Sequence, residues 1–500
     1  MDAAPAVKTA PLPRPAVRKI TAWLRAHPLT AICVAIIASA VGLHLFANWR
    51  AEVRWQNYCT AARARGVKLT LAEFAPPEIP DAENFAALPM FKAIRNGGVQ
   101  RPMKLPRAGG TQPDFGNPLK AEPFDWAKWQ TLFKEAGYIT ETTDSPPRDV
   151  LRALEHYAPQ FQEWSEWKTR PRCRFPFDYN AEIDFALVPL QTFRDASRLF
   201  TLRLRAHLAL DDSAAAYADF CEVFQTRRTL ENEPTLVVAM AQTSVLDFMC
   251  DGVGDGLARH AWADAELAKI GSDLATVALW KRYRLALQTD RAVNNLMYDR
   301  YAASSPIGRW KLYTASLGGA PSPPVMSYIK FTPRRFFRDN QLRHNQWLDE
   351  LLARFNQDAT SYDPDGAAPA SPRNWNTWID AFYYFLFRVT AFPTAGMETR
   401  FVKAQTKLDQ TRTAIALERF RLARGAFPET LTELVPDFFA AVPVDTFSKQ
   451  PLIYRRTDGG TFLLYGVGQN RTDGGGAINP KLYETKQPDD VWPYAPPPAL

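Results

Sequence analysis

One histidine and three acidic residues lie within a short stretch of the sequence and could support acid–base chemistry. They are His156, Asp178, Glu182 and Asp184. Paired carboxylates near an imidazole serve many hydrolases as general acid, general base or nucleophile. Similar clusters more often form a solvated or ion-paired surface. An extracytoplasmic hydrolase using the 156–184 acids is therefore the alternative to a protein without catalytic residues.

Longer catalytic signatures do not accompany this cluster. The sequence contains no HExxH, GxSxG or Walker-type pattern. The glycine-rich segment 252–256 (GVGDG) follows helical periodicity rather than a predicted strand, so we interpret it as a break between helices and not as a phosphate-binding loop. These observations favour a binding or scaffold protein over an enzyme, with no cofactor expected.

The clearest pattern is the uncharged run 29–47 (LTAICVAIIASAVGLHLFA). A helix of this length spans the ~30 Å hydrocarbon core of a bilayer. The small-residue pairs that would suit signal peptidase lie inside the run, so the pattern predicts an uncleaved single-pass anchor. A short basic tail resists translocation, whereas a long C-terminal part crosses largely regardless of its charge. We expect residues 1–28 in the bacterial cytoplasm, the anchor in the inner membrane and the remainder in the periplasm.

Composition limits the partners of that remainder. The 500 residues are 46% hydrophobic and include 40 prolines, which predicts more than one core joined by irregular connections. The net charge of +7 is ordinary for solubility, and outside the cytoplasm it would face anionic lipids or wall polymers rather than nucleic acid. Outside the apolar run, four cysteines without metal-ligand spacing could form disulfides in three pairings or remain free: Cys59, Cys173, Cys221 and Cys250.

Breaks in composition divide the chain beyond the anchor into five segments. Apolar residues at helical spacing predict antiparallel helices in the third of them. Two basic-aromatic stretches, 170–179 and 333–347, are interpreted as core aromatics flanked by arginine rather than as a polymer-binding face. The expected segments are a juxtamembrane helix at 48–70, an irregular proline- and aromatic-rich part at 71–189, a helical array at 190–301, a proline- and glycine-rich connection with one helix at 302–375, and a C-terminal part at 376–500.

One helical pair within the array has a recognisable pattern. The stretch 206–220 (AHLALDDSAAAYADF) resembles one hairpin of a tetratricopeptide repeat. No second copy follows at the expected period of about 34 residues. The resemblance therefore implies a repeat-like helical solenoid or bundle.

The C-terminal part begins with a long amphipathic helix that should stop at Gly425, followed by a short helix opening at Pro428. Alternating apolar residues on either side of the turn 458–460 predict a β-hairpin. This series, about 399–478, resembles the globular part of the major pseudopilin of type II secretion systems. The matching positions are Phe427, Pro428, Pro443, Asp445, Phe447, Pro451, Tyr454, Tyr465, Gly468 and Gly474.

The pseudopilin resemblance implies a small α+β domain and a place beside a secretion or pilus-like apparatus. The family's C-terminal loop binds calcium, and Asn470 and Asp473 lie where ligands would be expected. Of these two residues only Asp473 carries a carboxylate, and calcium sites usually contain more than one. A turn without a bound ion is therefore the alternative. The family's leader pattern is absent from 26–45, and we do not expect processing or polymerisation as a pilin.

Together these patterns predict a mainly α protein with an N-terminal transmembrane helix, a repeat-like helical array, and a small α+β C-terminal domain with a long helix and a β-hairpin. The order of these parts also resembles a group of uncharacterised bacterial membrane-anchored proteins. The expected function is that of a single-pass extracytoplasmic scaffold or binding protein of the cell envelope. Its expected partners are the membrane, through residues 29–47, and an envelope protein.

Overall fold

The chain is mainly helical and divides into two compact units. Unit 1 comprises Met1–Val67 and Tyr298–Leu342, and unit 2 comprises Lys68–Met297 and Arg343–Leu500. The computed structural model describes residues 26–96, 98, 101–107, 124–177, 179, 187–317, 330, 332–366, 380, 383–457, 460–479 and 487–494.

Helices dominate the described residues, and a small sheet lies near the C-terminus. The strands are β1 (Ile453–Arg456), β2 (Phe462–Val467) and β3 (Asp489–Val491). The principal helices are α1 (Pro28–Ala64), α2 (Trp126–Glu135), α3 (Pro146–Leu154), α4 (Ala158–Trp164), α5 (Leu187–Leu208), α6 (Ser213–Thr229), α7 (Leu236–Ala258), α8 (Asp264–Ala275), α9 (Leu279–Ala303), α10 (Pro306–Leu317), α11 (Arg334–Leu352) and α12 (Phe385–Arg424).

Unit 1 is built on α1, a helix of 37 residues that covers both the apolar run and the segment that follows it. Apolar side chains in the first half of α1 are exposed, whereas Ala51, Trp55 and Cys59 in the second half are buried. Spacing of four residues places these buried side chains on one face. Asn48 lies where the apolar run ends, and its Oδ1 accepts a hydrogen bond of 2.9 Å from the backbone N–H of Arg335.

Two described helices, α1 and α7, are long and apolar enough to cross a membrane. Length and composition do not separate a membrane span from a buried core helix, but burial does. The apolar window of α1 is fully exposed, and most of that of α7 is buried. We therefore assign α7 to the core of unit 2, and α1 is the candidate membrane span.

Aromatic side chains organise the irregular segment at the start of unit 2. The ring centroid of Phe85 lies 5.1 Å from that of Trp164, and the rings of Phe91 and Phe193 stack at 5.7 Å. Pro159 does not kink a continuous helix, because α3 ends before it and α4 begins with it in the first turn. Proline is tolerated there because first-turn N–H groups lack partners within the helix.

The helical array of unit 2 contains the pair that resembles a tetratricopeptide hairpin. Helices α5 and α6 are joined through 209–212, and the side chain of Asp212 caps α6 by accepting a hydrogen bond of 3.0 Å from Ala215 N–H. Asp219 of α6 is 1% exposed and accepts from Arg203 of α5, with Nε at 2.7 Å from Oδ1. A buried ion pair therefore joins the two helices.

The glycine-rich segment 252–256 lies inside α7, so the predicted break between helices is wrong. A Cβ atom on Gly254 would lie 2.5 Å from the ring of Tyr494, and one on Gly256 would lie 2.1 Å from Nε1 of Trp262. Interior glycine destabilises a helix by roughly 0.5–1 kcal/mol relative to alanine. Here the missing side chains let two large rings pack against the helix backbone, which offsets that loss.

At the C-terminal end, α12 is one helix of 40 residues that ends at Gly425, as predicted. Gly425 has a left-handed φ of 83°, which glycine adopts without steric penalty. The short helix predicted from Pro428 is a single 3-10 turn at Leu431–Leu434, capped by Thr430 and Glu433.

The small sheet has the antiparallel order β1-β2-β3. Tyr465 of β2 lies opposite Ile453 of β1 and Val491 of β3. Strand β3 was not predicted from the sequence. Its position is fixed by side chains of α12, since Lys403 forms an ion pair with Asp490 and Gln410 donates to the backbone oxygen of the same residue.

All five cysteines lie within the described residues and carry free thiols. Cys59, Cys173 and Cys250 are buried, and Cys221 is half-buried. Burial raises the pKa of the Cys250 thiol to about 12 and that of the Cys59 thiol to about 11. Of the two possibilities for the cysteines, disulfides or free thiols, the structure has free thiols.

Candidate functional site

The acidic cluster predicted near 156–184 has little described geometry. Asp178, Glu182 and Asp184 lie outside the described residues. His156 is exposed, and its ring stacks on that of Tyr138 with a centroid distance of 4.0 Å. A hydrolase that uses these acids stays a hypothesis.

The predicted calcium ligands lie in an exposed turn after β2. Asn470 Oδ1 accepts from Thr472 N–H at 3.0 Å, and Asp473 Oδ1 accepts from Tyr465 Oη at 2.9 Å and from Gly475 N–H at 2.8 Å. Such bonds stabilise a turn without a metal. Among the described residues, no three His, Cys, Asp or Glu side chains converge to hold a metal ion. Calcium binding by Asn470 and Asp473 stays a prediction.

A cavity of about 610 Å³ in unit 2 provides a better-defined candidate site. Four chain segments form it: the start of α9, the loop 354–363 after α11, the middle of α12, and the loop 444–449 before β1. Volumes of ~300–1,000 Å³ are typical of sites for small molecules. The cavity therefore has the size of a ligand site.

Two buried carboxylates line this cavity. Asp445 is 2% exposed and Asp409 is 9% exposed. Asp445 Oδ2 accepts from Ser448 N–H at 2.8 Å, but its Oδ1 accepts no hydrogen bond from any described residue. Asp409 Oδ2 accepts from Gln405 Nε2 at 2.9 Å, and its Oδ1 lies 3.5 Å from Arg412 Nη1. Both carboxylates are therefore buried with few hydrogen-bond partners, which is costly for the ionised form.

The electrostatics of the two carboxylates are unusual. Burial raises the pKa of Asp409 to about 6, and the nearby charge of Asp445 raises it further against the opposing effects of Gln405 and Arg412. Burial also raises the pKa of Asp445, against the hydrogen bonds from Ser448 and the Phe447 backbone. Burial therefore favours the neutral form of both carboxyls, and Asp409 changes its protonation state near pH 6.

Cationic side chains line the same cavity, but acids other than Asp409 and Asp445 neutralise them. Lys449 Nζ lies 2.7 Å from Asp363 Oδ1 and 3.2 Å from Asp365 Oδ2. Arg354 Nη1 lies 2.8 Å from Glu398 Oε1. Neither cation forms a described ion pair with Asp409 or Asp445. Among the described residues, the ion pair of Asp409 with Arg412, at 3.5 Å, is the one that involves either buried carboxylate.

Aromatic side chains form another part of the cavity wall. The ring centroid of Tyr362 lies 5.3 Å from that of Trp280 and 4.8 Å from that of Phe355. All three are buried, with small exposed areas at the cavity. Faces of aromatic rings attract cations as well as apolar groups.

Replacing Asp409 with asparagine should stabilise the protein at about pH 7.5. The folded-state pKa of about 6 exceeds the ordinary value of 3.8, so ionisation of Asp409 opposes folding as the pH rises through this interval. The shift corresponds to about 2–3 kcal/mol, and asparagine still accepts from Gln405. Chemical unfolding of the full chain in detergent at several pH values measures the gain, which should vanish below about pH 4, where both side chains are neutral. An equal gain at all pH values would contradict this assignment.

Comparison with protein-family models, curated proteins and solved structures found no match to this chain. The candidate site therefore depends on its own geometry. Sequence patterns singled out Asp445 only as a matching position of the pseudopilin resemblance and did not identify Asp409, Tyr362 or Trp280. The nearest signal for Asp409 is its place beside Leu408 on the apolar side of a long helix, where an acid is unusual.

Proposed function

We propose that this protein is a single-pass, membrane-anchored binding protein of the bacterial cell envelope that holds a small ligand in the cavity of unit 2. The observation that carries the proposal is a cavity of about 610 Å³ that is lined by two buried carboxylates, Asp409 and Asp445, and by three aromatic rings. Buried ionisable groups beside a cavity of this size are typical of binding sites. A ligand of complementary charge would pair with them.

The proposed anchor is α1. Most of the large apolar side chains that the structure leaves more than a third exposed belong to this helix, and Leu29, Ile36 and Leu43 are each more than half exposed. Insertion into a bilayer would remove them from water. In the second half of α1, Ala51, Trp55, Cys59 and Ala62 are instead buried, which supports a span that ends near residue 47.

Topology follows from this proposal and can be measured directly. Reporter fusions at the two ends of the full chain should place the N-terminus in the cytoplasm and the C-terminus in the periplasm, because the short basic tail resists export. Alkaline phosphatase fused after residue 500 should be active, and green fluorescent protein at the same place should be dark. A fluorescent C-terminal fusion would contradict the proposed topology.

The ligand itself can be sought in protein purified from its native membrane. Small molecules released by denaturation would be identified by mass spectrometry. Ser361→Trp should abolish their retention, because Ser361 lines the cavity from an exposed position and a bulky ring there fills the space. Ser272→Trp is the matched control, since Ser272 is exposed on α8 and does not line the cavity. Equal small-molecule content in both variants would argue against the proposed function.

A role beside a secretion or pilus-like apparatus, with an envelope protein as partner, is a separate part of the proposal. It rests on the pseudopilin resemblance of 399–478 and on the anchor. In the resembling region, the long helix α12, the 3-10 turn at Leu431–Leu434 and the strands β1 and β2 follow one another in the expected order. Crosslinking in native membranes followed by mass spectrometry would identify such a partner.

A further inference from the structure

We propose that the ligand of this cavity is a small organic cation, a protonated amine with N–H donors, held between the carboxylates of Asp409 and Asp445 and the surrounding aromatic rings. This inference rests on the proposed function and specifies the chemical class of ligand. It follows from charge, hydrogen bonding and the nature of the cavity wall.

Charge is the first argument. The ionisable side chains that line the cavity are Arg354, Asp363, Asp409, Asp445 and Lys449. Lys449 and Asp363 neutralise each other, and Arg354 is paired with Glu398 outside the lining. Two buried acids remain, and Arg412 contacts only one of them, at 3.5 Å. A cation is the ligand that removes this excess negative charge.

Hydrogen bonding is the second argument. Carboxylate oxygens only accept hydrogen bonds, so Asp409 and Asp445 favour a ligand with N–H donors, which a quaternary ammonium ion lacks and a primary or secondary ammonium ion supplies. The loop before β1 holds the Asp445 side chain in advance, because Ser448 N–H donates to its Oδ2 at 2.8 Å.

The cavity wall distinguishes an organic cation from a metal ion. Metal sites need several converging His, Cys, Asp or Glu ligands, and no such group of three occurs in the described part of the chain. Trp280, Phe355 and Tyr362 instead offer aromatic surface, which suits the alkyl chain of an amine and attracts its charge. The volume of about 610 Å³ also exceeds what a single ion fills.

Binding of an amine should favour the ionised acids and hence depend on pH. The charged groups nearest Asp409 are Arg412 on the same helix and Asp445 from the loop before β1, with Arg354, Asp363 and Lys449 at the cavity. Alkylamines stay protonated throughout the range in which Asp409 titrates. Affinity should therefore rise as the pH increases from about 5 to about 7.5, because Asp409, with a pKa of about 6, loses its proton in this interval.

The experiment is titration calorimetry of the purified full chain in detergent with 1,4-diaminobutane and with its neutral analogue 1,4-butanediol. We expect the diamine to bind and the diol not to bind at about pH 7.5, with roughly tenfold weaker diamine binding at about pH 5. Asp445→Asn and Asp409→Asn should each weaken diamine binding about tenfold or more. Asp409→Asn is informative even if Asp445→Asn folds poorly, because it is expected to be more stable than the parent chain.

Asp358→Asn is the matched control, since Asp358 is exposed in the same loop as Tyr362 and does not line the cavity. It should leave diamine affinity within about threefold of the parent value. Equal binding of diol and diamine, or unchanged affinity in both cavity variants, would overturn the inference. If a neutral or anionic compound is retained by the parent chain and lost in Ser361→Trp, the amine assignment fails and the proposed function stands. If nothing is retained and neither probe binds, both fail.

Discussion

Gly256→Ala is expected to lower the free energy of unfolding by roughly 2 kcal/mol or more, although alanine is normally the better helix residue by about 1 kcal/mol. The added methyl group would lie 2.1 Å from Nε1 and 2.7 Å from Cδ1 of Trp262. Trp262 is 3% exposed, and its Nε1 donates to Val253 O at 3.1 Å. The ring must move, lose that hydrogen bond and disturb the packing around it.

Gly271→Ala provides the matched control for this substitution. Gly271 also lies within a helix, α8, but a Cβ there would meet Ile415 at 3.6 Å, an ordinary van der Waals contact. Alanine should therefore raise the free energy of unfolding by about 0.5–1 kcal/mol. Urea unfolding of the full chain in detergent, followed by circular dichroism, measures both variants. If Gly256→Ala and Gly271→Ala changed the free energy of unfolding in the same direction, the close packing of Trp262 would not explain why a glycine is needed at position 256.

Arg203→Met should destabilise the protein by roughly 3 kcal/mol at about pH 7.5, because it leaves the Asp219 carboxylate buried without its main partner. Arg203 Nη2 lies 2.5 Å from Asp219 Oδ1. Burial already raises the pKa of Asp219 to about 6 even with Arg203 present, and loss of the guanidinium raises it further. The destabilisation should therefore be largest above the folded-state pKa and fall away below about pH 4, where the carboxyl is neutral in the folded and unfolded chains.

Asp219→Leu in the Arg203→Met background tests the electrostatic origin of that loss. Replacing both partners with apolar side chains removes the unpaired charge, so much of the lost stability should return. Methionine also retains part of the contact that Arg203 makes with the ring of Phe161, whose centroid lies 4.2 Å from the guanidinium carbon. Thermal unfolding of the single and double variants across pH would reveal the effect. A double variant as unstable as Arg203→Met at every pH would show that packing, not charge, dominates.

Structural features that depend on residues close together in the chain could be predicted from the sequence. Gly425 ends α12 because a left-handed residue terminates a helix, and this signal is local. Asp212 caps α6 because a short acidic side chain reaches the first free N–H groups of the following helix. In contrast, Gly252, Gly254 and Gly256 indicated a helix break by composition, whereas the structure keeps them inside α7, where Gly254 and Gly256 lie against the rings of Tyr494 and Trp262.

Most of the candidate site could not be predicted from the sequence, because its residues come from segments that are far apart in the chain. Trp280, Tyr362, Asp409 and Asp445 meet only after α9, α11 and α12 pack together. No local spacing relates these four residues. Strand β3 was missed for the same reason, since its Asp-Asp-Val sequence has weak strand propensity and its position depends on Lys403.

All five cysteines are free thiols, so the packing described above does not depend on a disulfide. These thiols also provide an intrinsic reporter of the environment of α1. Cys33 is exposed on the apolar half of α1, whereas Cys59, Cys173 and Cys250 are buried. A maleimide applied to intact membranes and to detergent-solubilised protein can therefore compare the shielding of residue 33 without any engineered cysteine.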